Sequence, residues 1–127
     1  MDRFLWVCLG SAMGGGLRYL VSLGMGRLFG PAFPFGTLTV NFAGSFLIAA
    51  IMTVGLTSTL VGPTARLLLT TGMMGGLTTY STFNYETLEL YRNGAAVLAA
   101  VNVAVTVVLC LVGGALGLVV GRWLVGT

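Results

Sequence analysis

Long apolar runs with almost no charge constrain this chain more than any other feature. Its 127 residues carry only six basic and three acidic side chains, while 57% are hydrophobic. A water-soluble domain gives about a quarter of its positions to charged types. This chain has too few to clothe a surface in water, so the solvent it specifies is a lipid bilayer. Stretches such as FLIAAIMTVGL at 46–56 are continuously apolar. They lack the period of two that a membrane β-barrel requires. The expected fold is all-α.

Four spans are expected, at about residues 3–28, 35–59, 64–91 and 95–124, in one transmembrane domain. Each exceeds the roughly 20 residues that cross a hydrocarbon slab. FGPAFPFG at 29–36, Gly62-Pro63 and Arg92-Asn93-Gly94 supply the turns. Residues 3–29 are too long, too glycine-rich and too interrupted by Arg18 to read as a signal peptide. Cys8 and Cys110 lie in apolar runs and read as small buried residues, not as a disulfide framework.

An even number of spans puts both termini on one side, with Asp2, Arg3, Arg66 and Arg122. Arg27 and Arg92 lie on the other, and Arg18 sits slightly inside it. So balanced an arginine count permits insertion in either direction. Glycines spaced by four (Gly10 and Gly14; Gly113, Gly117 and Gly121) read as ridges for close helix packing. Packed helix axes lie about 8–10 Å apart, so four helices enclose little space. A pathway is expected between subunits or along one helix face, and the chain is expected to form a homo-oligomer.

Polar groups in hydrocarbon need partners. Asn41 and Ser45 share one face of span two, after Thr37 and Thr39. Asn102, Thr106 and Cys110 repeat the same spacing in span four. Span three holds GMMGGLTTYSTFNYETLE at 72–89, with hydroxyls at Thr78, Thr79, Ser81 and Thr82. Each residue alone reads as interhelical glue; three such stripes point to a lined path. The stripes are neutral, and Glu86 and Glu89 lie towards the end of span three. Arg18 reads equally as a snorkelling side chain and as an attractor for anions in a vestibule. Tyr80 and Phe83 share a helical face, and the positive edges of their rings can face an anion. Gly72, Gly75 and Gly76 weaken a helix. They read either as a simple kink or as a break that frees carbonyls for a small cation such as Na⁺ or K⁺.

GGLTTYSTF at 75–83, Gly-x-Leu-Arg at 15–18 and GTLTVNFAGSFLIA at 36–49 together resemble the CrcB/Fluc family of small fluoride channels, over essentially the whole chain. The resemblance implies four transmembrane helices with a broken third, an antiparallel (dual-topology) homodimer and two fluoride pores. It implies pore-lining roles for Asn41, Tyr80, Ser81, Thr82, Phe83, Asn102 and Thr106, and a place for Arg18 near the pore mouth. Gly75 and Thr78 are implied as carbonyl donors to a structural Na⁺ at the dimer interface. Tyr80 stands where the family usually has phenylalanine, and Asn102 where it often has tyrosine. The implied activity is passive export of fluoride across the cell inner (plasma) membrane. The implied partners are lipid, fluoride and a second copy, with no nucleic acid.

Two rival functions make different demands. A small four-helix dimeric exporter of the multidrug-resistance type calls for a carboxylate at mid-membrane. A structural subunit of a larger complex accounts for the glycine ridges but not for the polar stripes. An enzyme is not expected, since the chain has no histidine and no acid near a serine or cysteine in a triad arrangement.

Overall fold

The computed structural model describes residues 2–127, and these form an all-α bundle of four spans with a broken third. α1 covers Asp2–Phe29 and α2 covers Phe35–Thr57. The third span is composite. Its first half, α3, runs through an α-helical turn Pro63–Leu67, a π-helical stretch Leu68–Met74 and a last turn Gly75–Leu77. Its second half, α4, covers Tyr80–Arg92, and α5 covers Ala96–Val125. α1, α2 and α5 are each long and apolar enough to cross a membrane. The chain is thus a multi-pass membrane protein.

Turn chemistry sets the ends. Gly30 and Gly94 adopt φ of +74° and +83°, the left-handed region that favours glycine, and so close α1 and follow α4. Pro63 starts α3 at a position where its missing N–H costs nothing. Arg66 reaches back from α3 and donates from Nη1 to the Gly55 carbonyl at 2.7 Å, near the C-terminal end of α2.

Glycine ridges bring the spans together. A methyl group at Gly10 or Gly14 would strike the Leu68 or Met73 carbonyl of α3. The opposing Gly72 and Gly76 meet α1 backbone in the same way, at Gly10 and at Ser11. On the other side, Gly117 lies against the Phe46 carbonyl, and Gly121 against Thr53 and Ala50 of α2. Small residues thus permit backbone-to-backbone approach where lipid offers no hydrophobic drive to associate. The apolar core is correspondingly small: Val40, Met74 and Leu77, flanked by Val21 and Met73.

Two expectations need correction. Gly72, Gly75 and Gly76 do not break the helix; all three are helical, and two of them are packing surfaces. The break falls after them, at Thr78 and Thr79. Cys8 is exposed on the surface of the bundle and Cys110 is half-buried, so neither is a fully buried core residue; both are free thiols.

Candidate functional site

The break is held open from outside its own span. Thr78 and Thr79 are extended, with φ/ψ of −83°/157° and −154°/121°. Asn41 on α2 grips the Thr79 peptide at both ends. Its Nδ2 donates to the Thr79 carbonyl at 3.0 Å, and its Oδ1 accepts from the Thr79 N–H at 2.8 Å. Thr79 then caps α4, its Oγ1 accepting from the Thr82 N–H at 3.1 Å. In an unbroken helix the Thr79 N–H would bond to the Gly75 carbonyl, and the Thr82 N–H to that of Thr78. Both donors are diverted, so both carbonyls are released from their helical bonds. Apart from its chain neighbours and its own helical backbone, no atom of the described residues lies within 4 Å of where a Gly75 Cβ would stand.

Beside the break lies an open groove of about 550 Å³ between α2, α3, α4 and α5. It brings together Asn41, Gly75, Thr78, Tyr80, Phe83 and Thr106. The Tyr80 and Phe83 rings meet edge-on, with centroids 5.7 Å apart and planes at 61°. Phe83 is buried in the bundle, whereas Tyr80 is 79% exposed and projects from it. No acidic side chain lines the groove.

The remaining expected site residues lie elsewhere. Ser81 and Thr82 are exposed on the first turn of α4. Thr82 Oγ1 accepts from Thr79 Oγ1 at 3.1 Å, which leaves its own proton free to donate. Asn102 is 1% exposed and lies behind the groove wall. Arg18 is half-buried on α1, outside the groove. Many hydroxyl protons are already committed to the carbonyl four residues back: Ser45 to Asn41, Thr78 to Met74, Thr87 to Phe83. One N–H of Asn41 serves Thr79, and a carboxamide carries two.

Some contributors escaped the sequence reading. Thr70 and Thr71 line the groove from the π-helical stretch, whose widened turn has no simple sequence signal. Thr37 donates to Glu86 Oε1 at 2.9 Å, at the edge of a separate cavity of about 150 Å³ near the α1–α2 turn. Oε2 of the same carboxylate is buried without a partner. Among the described residues, no group of three or more His, Cys, Asp or Glu is placed to hold a metal.

Fold and groove define a class: a multi-pass helical membrane protein with a neutral, donor-bearing groove beside an interrupted helix. The chain belongs to the CrcB/FluC family, since residues 5–118 match the family described as CrcB-like protein, Camphor Resistance (CrcB). Curated relatives agree over the full length. The protein named fluoride-specific ion channel FluC in Anaeromyxobacter sp. (strain K) is 54% identical over 126 residues, 99% of this chain and 100% of the relative. Its namesake in Sorangium cellulosum is 50% identical, covering 98% of each chain. That in Citrifermentans bemidjiense is 44% identical over 96% of this chain and 98% of the relative.

Proposed function

We propose that this chain is a fluoride-specific ion channel, assembled as an antiparallel homodimer in the cell inner membrane, through which cytoplasmic fluoride leaves passively. One observation carries the reading. A chain similar over its whole length to proteins named as fluoride channels has a groove of neutral donors and ring edges beside its helix break. Hydrogen fluoride enters cells from acid surroundings and dissociates in a more neutral cytoplasm. The trapped ion then needs only a selective path down its gradient, and export lowers its toxicity.

Stripping water from a small anion is costly unless donors replace it. The free N–H of Asn41, the free hydroxyl of Thr82, and the edges of Phe83 and Tyr80 supply replacements of modest strength. None bears a full positive charge, so an ion can enter and still leave. Thr106 completes the lining from α5 with Asn102 behind it, and Arg18 draws anions towards the mouth. The groove is open on one side and Tyr80 projects from it. A second copy supplies the missing wall. A proton-coupled exporter finds no carboxylate in this groove; Glu86 borders the other cavity.

The released Gly75 and Thr78 carbonyls suit a hard, singly charged cation, which prefers oxygen ligands. One subunit supplies two such oxygens, and an antiparallel pair supplies four. Na⁺ held there would pin the two broken helices together as a structural element rather than as cargo. The test is efflux from liposomes carrying the purified dimer. Fluoride release should far exceed chloride release, and fluoride release no faster than from protein-free vesicles would refute the reading.

A further inference from the structure

A hydrogen-bonded chain runs away from the groove wall. Thr106 Oγ1 donates to Asn102 Oδ1 at 3.3 Å, Asn102 Nδ2 donates to Thr87 Oγ1 at 2.9 Å, and Thr87 Oγ1 donates to the Phe83 carbonyl at 2.7 Å. Thr106 lines the groove, whereas Asn102 does not and is 1% exposed. In this arrangement the Thr106 proton points into the protein. Only its lone pairs face the groove, the wrong sign for an anion.

The two ends of a carboxamide have nearly the same shape, and the torsion that carries them is broad and two-fold. Turning the Asn102 amide over puts its N–H₂ beside Thr106 and its oxygen beside Thr87. A hydroxyl both donates and accepts, so each neighbour can serve either orientation. Thr106 then accepts from Asn102 and turns its own proton into the groove, while Thr87 donates to Asn102. The Phe83 carbonyl loses one partner but keeps the helical bond from the Thr87 N–H. Without an anion, the turned state only costs the Phe83 carbonyl its hydroxyl partner, so the inward state is favoured. With an anion, the outward proton makes a charge-assisted bond, about twice as strong as a neutral one.

We propose that Asn102 is a positioning residue, and that its amide turns over between Thr87 and Thr106 to present the Thr106 proton when fluoride arrives. This rests on the channel reading and adds a device to it. It also explains why an amide suits this site: a carboxylate only accepts and would hold the Thr106 proton inward, whereas an apolar side chain leaves that proton to bond back to its own helix.

Two measurements test the relay. In the first, fluoride efflux is compared for wild type, Asn102→Leu, Thr106→Val and the double variant. Each single change should slow efflux by about tenfold, the worth of one hydrogen bond of ordinary strength. The double variant should be no slower than Thr106→Val alone, because Asn102 acts through that hydroxyl. In the second, the side-chain amide signal of Asn102 is followed in ¹⁵N-asparagine-labelled protein. It should shift on addition of fluoride in wild type and stay fixed in Thr106→Val, a readout that does not depend on whether Asn102→Leu folds. Penalties that multiply in the double variant, an unmoved wild-type signal, or an equal shift in Thr106→Val would each overturn the relay. Wild-type vesicles that release no fluoride would overturn the channel reading along with it.

Discussion

Replacing Asn41 with leucine keeps its bulk and removes both bonds to Thr79. Thr79 is 7% exposed, so its N–H finds no water in exchange. An unpaired buried donor costs about 1–3 kcal/mol, and the lost bond to the carbonyl adds about 0.5–1.5 kcal/mol. The expected destabilisation is therefore roughly 1.5–4.5 kcal/mol. Recapture of the N–H by the Gly75 carbonyl would require Thr78 and Thr79 to rewind from their extended conformations.

Hydrogen exchange reads this locally. If the break opens more easily by about 1.4 kcal/mol or more, the Thr79 amide should exchange at least tenfold faster. Thermal unfolding of the detergent-solubilised protein should fall in parallel. Ser45→Ala is the control, since its hydroxyl bonds only to the Asn41 carbonyl of its own helix, at 2.7 Å. Thr79 exchange should be unchanged there. Asn41→Leu with wild-type Thr79 exchange and wild-type melting would refute the idea that α2 holds the break open.

Gly76→Ala should destabilise the protein by about 1–3 kcal/mol in a thermal melt, because its methyl meets the Ser11 carbonyl of α1. Gly75→Ala meets nothing beyond its own helix, so the circular dichroism of its helices should match wild type. Thr37→Val removes the one hydrogen bond made by Glu86 and should cost about 1.5–3 kcal/mol in unfolding free energy. Glu86→Gln in the same background should recover part of that loss. Phe83→Ile removes a ring edge from the groove and should impair fluoride efflux from liposomes; unchanged efflux would count against its place in the path.

The bundle was legible because its signals are local. Apolar length marks the spans, and Gly-Pro pairs and Gly94 mark the turns. Glycines at spacing four mark the faces that touch. The stripes on spans two and four also lie where periodicity puts them, and Asn41 and Thr106 do reach one groove. What the chain could not reveal is which polar atoms are already spoken for. Ser45 looks like a groove donor and gives its proton to its own helix. Asn102 looks like a lining residue and sits behind the wall. Thr87 carries no sequence signal, since its bond to Asn102 joins α4 to α5. Hydrogen-bond allocation is a tertiary property, and spacing along one helix does not determine it.

The helix break shows why this matters for function. Gly72, Gly75 and Gly76 read either as a simple kink or as a break through intrinsic weakness. Yet those residues stay helical, because α1 packs against Gly72 and Gly76 and an interrupted backbone in lipid is costly. A break costs less where diverted donors meet new acceptors. Thr79 meets that condition twice. Its peptide N–H goes to Asn41, and its hydroxyl receives the N–H of Thr82. The same two diversions release the Gly75 and Thr78 carbonyls and restart the helix at Tyr80, which sets Tyr80 and Phe83 at the groove. One amide on α2 thus couples the carbonyl pair to the aromatic pair. A substitution that rewinds Thr78 and Thr79 should disturb both together, whereas removing the glycines should leave the position of the break where it is.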